Sequence, residues 1–154
     1  MMRVFEQYVK KYDMNNNNIK AKYFHSLKVM EISSDIASTI GIFNEEEVAV
    51  CELIALFHEI ANFDDAPNYS IEQEAIEDYA LKSAEVLFSK GIMRKISEDT
   101  RYDEIIKLAI YACNKEGLPN NINLKVAAFC KILRDAHKID SFRMILNYPV
   151  IDTR

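Results

Sequence analysis

The chain contains few of the residues that turn-rich folds, membrane spans and disulfide frameworks require. Only three of its 154 residues are glycine and three are proline, whereas a β-sandwich or barrel needs many more turn residues. No apolar run approaches the roughly 18 residues that cross a bilayer. The three cysteines are odd in number and widely spaced, which indicates reduced thiols. These absences favour one mainly helical, cytoplasmic domain over residues 1–154.

The charge balance bears on the class of partner. The chain has 24 acidic and 19 basic residues and a net charge of −5, which argues against binding to a nucleic acid polymer or an anionic membrane. A small phosphorylated molecule stays compatible with this charge, because a metal ion and a few local cations can neutralise it. We therefore expect such a molecule as the partner, and self-association of the chain is left open.

Apolar periodicity and capping signals divide the chain into helices separated by short loops. Asn44 with Glu47, Ser70 and Thr100 each stand where a helix would begin, and Gly41 and Gly91 where one would end. Residues 62–69 are predicted as a polar loop, and no segment alternates like a strand. The prediction is an all-α, compact bundle with helices over about residues 4–13, 19–39, 44–59, 70–91, 100–117 and 123–147.

All three histidines lie in apolar helical sequence. His58 is followed directly by Glu59, His137 stands two residues after Asp135, and His25 lies on a strongly amphipathic stretch. Neutral imidazole with carboxylate is the ligand set of Zn, Fe, Mn or Ni sites. For any one of these histidines taken alone, a partly buried side chain with a hydrogen-bond partner is the alternative interpretation.

The distribution of these residues predicts one metal site at the mouth of the bundle. Adjacent residues on a helix point about 100° apart, but at a helix end His58 and Glu59 could face the same cation. His25 and His137 would reach it from neighbouring helices. With coordination positions open to water, such a metal can generate hydroxide near neutral pH and polarise a phosphoryl oxygen. The predicted cofactor is one divalent transition metal (Mn, Fe, Ni or Zn), with a metal-free site as the alternative.

Four segments resemble the HD superfamily of metal-dependent phosphohydrolases and together cover nearly the whole chain. Residues 22–29 resemble the first helix of that family with its metal histidine, and residues 102–110 a later helix. Residues 56–60, LFHEI, resemble the family segment LLHDIG, and residues 132–140, ILRDAHKID, resemble IIRDADKLD. The resemblance implies the all-α HD bundle and a metal-dependent phosphohydrolase activity.

The chain departs from the family pattern at several positions. Glu59 replaces the motif aspartate, and His137 occupies the place of the final metal aspartate. Tyr79 and Cys113 stand where relatives with a fuller motif carry two further histidines, which argues against a second metal ion. Ala61–Asn62 replaces a glycine and a basic residue that can contact phosphate.

Two functions follow from this divergent pattern. In the first, the site holds one metal and hydrolyses a phosphate ester, with Glu59 and Asp64 as candidate catalytic residues and Lys115, Arg134 and Lys138 as candidate phosphate contacts. Asp64 could equally lie in a solvated turn, and the three cations on a solvated helix surface. In the second, the fold survives as a catalytically inactive regulatory module that binds a phosphorylated ligand or a protein partner.

Overall fold

The computed structural model describes residues 1–68 and 78–147, and every regular element within these two ranges is a helix. This confirms the all-α prediction. The α-helices are α1 (Met2–Val9), α2 (Asn17–Thr39), α3 (Glu45–Phe57), α4 (Asn62–Asp65), α5 (Tyr79–Ser89), α6 (Ile92–Ile96), α7 (Asp103–Tyr111) and α8 (Leu124–Asn147), with 3-10 turns at Ala66–Asn68 and Ala112–Asn114.

The long helix α2 packs along both α3 and α8, and α7 packs against α5 and α8. The buried core of this bundle combines aliphatic side chains with aromatic rings. Phe5 of α1 is in edge-to-face contact with Phe57 and Phe63 at centroid distances of 5.5 and 6.1 Å. All three rings are fully buried, and burying such side chains is the main stabilising contribution to the fold. The contact fixes the end of α3 relative to α1.

Helix α3 begins at the predicted capping box. The side chain of Asn44 accepts a hydrogen bond from the Glu47 backbone N–H, and the Glu47 carboxylate accepts one from the Asn44 N–H. The preceding helix ends as predicted, because Gly41 adopts a left-handed φ of +71° just after it, a conformation that glycine tolerates best. These two local signals set the start of α3 and the end of α2.

The prediction of a polar loop over residues 62–69 is wrong for the described part of that segment. Residues Asn62–Asp65 form the helical turn α4, and the Ala66 N–H donates to the carbonyl of Asn62. Phe63 within this turn is completely buried, so packing against the core holds the polar segment in helical conformation. The aspartate and proline content of this segment predicted a loop. The prediction failed because the packing that holds the turn is a tertiary effect, which local sequence does not show.

The predicted helix starts after α3 need two corrections. Ser70 lies outside the described residues, but Asp78 caps a helix by accepting from the Leu81 N–H, so a single helix over 70–91 is wrong. The predicted cap Thr100 is also wrong, because Tyr102 occupies the N-cap of α7 and no side chain caps it. The short helix α6 was not predicted, since five residues are too few to show a period.

None of the helices in residues 1–68 and 78–147 has the length and apolar character needed to cross a membrane.

We expect Asn44→Ala to lower the free energy of unfolding by about 1 kcal/mol, because the substitution removes the side-chain cap of α3. Urea denaturation followed by circular dichroism measures the change. The control is Asn120→Ala, which removes an exposed amide outside any helix and should change stability by less than about 0.5 kcal/mol. Equal stability of Asn44→Ala and wild type would contradict the proposed role of the cap.

Candidate metal centre

Three helices bring the predicted ligand residues to one point. His25 lies on α2, His58 is the C-cap of α3, Glu59 follows in the next turn, and His137 lies on α8. One potential ligand atom from each residue lies within 4.8 Å of the others, so the four could hold a metal ion. The three imidazole rings form a triangle with centroid distances of 5.1–5.3 Å.

The end of α3 orients the His58 ring. Its Nδ1 lies 2.6 Å from the carbonyl oxygen of Ala55, and because a carbonyl only accepts, Nδ1 carries the proton. Burial lowers the pKa of His58 to about 3, so the ring is neutral at physiological pH. Its Nε2 is buried and has no hydrogen-bond partner among the described residues. A buried acceptor without a partner is costly, and a metal ion would supply the missing interaction.

A buried carboxylate orients the His25 ring in the same way. Asp140 is completely buried, and its Oδ2 lies 2.6 Å from His25 Nδ1, while Arg143 Nε donates to its other oxygen at 2.5 Å. Burial raises the pKa of Asp140, but these two contacts outweigh it, and the pKa lies below its usual range. With Nδ1 donating to Asp140, His25 presents Nε2 to the cluster, as in carboxylate–histidine–metal arrangements.

Glu59 supplies the negative charge of the cluster. Its Oε1 lies 3.5 Å from His137 Nε2, and its Oε2 lies 3.1 Å from the Lys22 ammonium and 3.9 Å from His25 Nε2. Burial opposes ionisation of this carboxyl group, but Lys22 and the neighbouring imidazoles hold its pKa well below the ordinary value. Glu59 is therefore an anion at neutral pH.

Asp140 and Lys22 contact the cluster but were not predicted from the sequence. Asp140 follows His137 by three residues on α8, and Lys22 precedes His25 by three residues on α2. Residues three apart lie on the same face of a helix. This spacing is the signal that could have placed both side chains beside the histidines.

A cavity of about 240 Å³ lies directly beside the cluster. Tyr79 and Cys113, which stand in place of further histidines, line it but do not belong to the group of four potential ligands. Burial and the nearby Glu59 raise the pKa of the Cys113 thiol to about 12 against the effect of Arg134. Cys113 is thus a neutral thiol. The described lining residues are His58, Glu59, Asn62, Tyr79, Ala80, Cys113, Asn114 and His137.

The donor set fits one divalent transition metal. Three imidazoles and one carboxylate are ligands that Zn, Mn, Fe and Ni accept, and the unpartnered Nε2 of His58 lies among them. His137 is about one-third exposed, whereas His25 and His58 are buried. The centre therefore has one side open toward solvent and the cavity.

A sequence model of the HD domain matches residues 23–145. The chain belongs to the HD domain family. This match covers all four potential ligands and confirms the resemblance to metal-dependent phosphohydrolases. No curated protein and no solved structure matches the chain significantly.

Asp64 lies apart from the cluster of this HD domain. Its carboxylate accepts a hydrogen bond from the Tyr12 hydroxyl and lies 3.9 Å from the Lys90 ammonium. It also lines a different cavity, together with Lys82 and Asp65. The structure therefore does not bring Asp64 to the site where catalysis was predicted.

The three predicted phosphate contacts are not among the described residues that line the cavity. Lys115 forms an ion pair with Asp78, and Arg134 donates to the carbonyl of Glu116 at 3.2 Å. Lys138 is exposed on α8. Among the described residues, Lys22 is a cation that contacts the cluster, through Glu59.

We expect Asp140→Asn to weaken binding of a divalent transition metal roughly 10–100-fold, because the amide orients the His25 ring less firmly than the carboxylate does. Competition against a chromophoric chelator measures the affinity. Asp135→Asn removes an exposed carboxylate from the same helix and is the matched control. Unchanged affinity in Asp140→Asn, with its fold intact, would refute the orienting role.

The buried neutral His58 makes the stability of the metal-free protein depend on pH. Since its pKa falls from 6.5 to about 3 on folding, the unfolded chain binds the proton first as pH falls. The stability that depends on a neutral His58 is fully present above about pH 6.5 and is lost progressively as the pH falls toward 3. Urea denaturation should show a smaller loss of stability between about pH 7 and 4 in His58→Gln than in wild type. An equally steep loss in both proteins would exclude His58 as the source.

Proposed function

We propose that this HD domain is a phosphohydrolase that depends on one divalent transition-metal ion and acts on a small phosphorylated molecule. The observation that carries the proposal is the Nε2 atom of His58, which is buried, neutral and unpartnered among the described residues. Fixing a buried imidazole with its lone pair free costs stability. Coordination of a metal together with His25, Glu59 and His137 would offset that cost.

The side chains of the site have distinct roles in the proposed reaction. A bound divalent transition metal polarises a phosphoryl oxygen and makes water nucleophilic near neutral pH. His25, His58 and His137 would hold the ion through nitrogen atoms, and the Glu59 carboxylate would balance part of its charge. Lys22 Nζ, 3.1 Å from Glu59, would add a positive charge on the cluster side of the site. The cavity beside the cluster would receive the rest of the substrate.

The proposal specifies one metal ion. The two positions at which relatives carry further histidines hold a tyrosine and a neutral thiol, Tyr79 and Cys113. Neither side chain belongs to the group of four potential ligands. In a site with two metals, the ions stabilise both the attacking and the leaving oxygen. A second ion would therefore lack ligands at these two positions.

One observation favours the alternative of an inactive HD module. The Lys22 ammonium already pairs with Glu59, so the buried negative charge has a partner without a metal. In that case the cavity would bind a phosphorylated ligand without hydrolysing it. The alternative differs from the first proposal in a measurable way, because only the first requires turnover.

We expect the protein to hydrolyse p-nitrophenyl phosphate slowly, with Mn, Fe or Ni preferred over Mg because imidazoles dominate the donor set. His58→Ala should lower kcat/KM by more than about 100-fold, since loss of a ligand exceeds the roughly 10–100-fold effect of losing a residue that orients one. Asp135→Asn is the control with unchanged activity.

Two outcomes would overturn the proposed activity. Turnover that survives His58→Ala in protein free of contaminating phosphatase would place the chemistry elsewhere. No turnover with any cation, combined with stabilisation of the fold by a nucleotide or another phosphorylated ligand, would establish the inactive module instead. A ligand at about a hundredfold excess over its dissociation constant stabilises by roughly 2.7 kcal/mol, which thermal unfolding readily detects.

A further inference from the structure

Asn62 lines the cavity beside the cluster. Only 8% of this residue is exposed. Its Oδ1 is buried and has no hydrogen-bond partner among the described residues. Asn62 is the first residue of α4, and Phe63 of the same turn packs in the core, so core packing holds this turn in place. A buried amide oxygen needs a hydrogen-bond donor, and a hydroxyl group of a ligand in the cavity would supply one.

Away from the cluster, the described residues that line the cavity carry no formal charge: they are Asn62, Tyr79, Ala80, Cys113 and Asn114. Among the described residues, the countercharges for an anionic phosphate therefore lie on the cluster side. A second phosphate, a carboxylate or an ammonium group on the ligand would lie against these neutral residues, where burying a charge is costly.

The size of the cavity sets a further limit. Its volume of about 240 Å³ is below the roughly 300–1,000 Å³ that is usual for sites of drug-sized ligands. The part of the ligand that lies inside the cavity beyond its phosphate is therefore small.

We propose that Asn62 binds a hydroxyl group on the leaving group of the substrate, and that the substrate is the phosphate monoester of a small, uncharged polyol or sugar. This inference rests on the proposed phosphohydrolase function. A hydroxyl both donates and accepts a hydrogen bond, so it matches the amide in either of its two orientations. Hydrolysis would add water across the P–O bond and release the alcohol and inorganic phosphate.

Two phosphonates that cannot be hydrolysed test the inference by isothermal titration of the Mn-loaded protein. The probe 3,4-dihydroxybutylphosphonate carries two hydroxyl groups, and butylphosphonate has the same chain without them. Wild type should bind the dihydroxy compound about 3–10-fold more tightly, the effect expected of one or two neutral hydrogen bonds. Asn62→Ala should reduce this ratio to about 1 and leave the affinity for inorganic phosphate unchanged. Asn120→Ala, on an exposed turn, should keep the wild-type ratio.

The outcomes separate the inference from the function on which it rests. Equal affinity of wild type for the two phosphonates, or a preference that persists in Asn62→Ala, would overturn the role of Asn62 while leaving the proposed function intact. If wild type binds neither phosphonate and no inorganic phosphate, the proposed function fails and the inference falls with it. Asn62→Leu, which keeps the branched shape of the side chain without its polar atoms, replaces Asn62→Ala if that variant does not fold.

Discussion

The negative charge of Glu59, whose side chain is only 15% exposed, constrains the arrangement of the whole site. A carboxylate largely removed from water is costly unless nearby groups stabilise its charge. Here Lys22 lies 3.1 Å from one oxygen and His137 lies 3.5 Å from the other. Helices α2 and α8 must pack at the end of α3 for these groups to meet. The charge balance of the centre therefore depends on the packing of these three helices.

The histidines around Glu59 contribute nitrogen lone pairs that can bind a cation. His25 and His58 each donate from Nδ1, to the Asp140 carboxylate and the Ala55 carbonyl respectively. Both rings are thereby fixed in the tautomer that leaves Nε2 available. Because burial also disfavours protonation of His58, the His58 ring remains a ligand at neutral pH. Such prepared donors around an anion suit a cation, and this is why we favour a metal enzyme over an inactive module.

The sequence predicted the cluster because its four residues follow rules that are local. Helical period places His25 and His137 on inward faces, and the end of α3 lets His58 and its neighbour reach one point. The direction in which a side chain points from a turn depends on tertiary packing. Asp64 points away from the cluster because the burial of Phe63 sets the orientation of that turn. Lys22 and Asp140 were not predicted for a different reason. Their spacing of three residues places them on the same helix faces as His25 and His137, but their contacts with Glu59 and His25 depend on which helices pack together.

The fold was predictable to a similar degree. The capping box at Asn44 and the left-handed Gly41 act within a few residues, and both ends were located correctly from sequence. The turn α4 depends on the packing of Phe63 in the core. The start of α5 at Tyr79 has a local signal, the cap Asp78, which was not predicted. Local signals therefore located a boundary correctly where one cap stood out in the sequence.

The number of metal ions that the protein retains shows whether the four clustered residues bind one ion. The protein is purified without added metal, loaded with Mn and freed of excess ion, and its metal content is measured by elemental analysis. We predict about one transition-metal ion per chain in wild type and almost none in His58→Ala. A wild-type protein that retains no Mn, Fe, Ni or Zn after loading, or a His58→Ala variant that retains as much as wild type, would contradict the account.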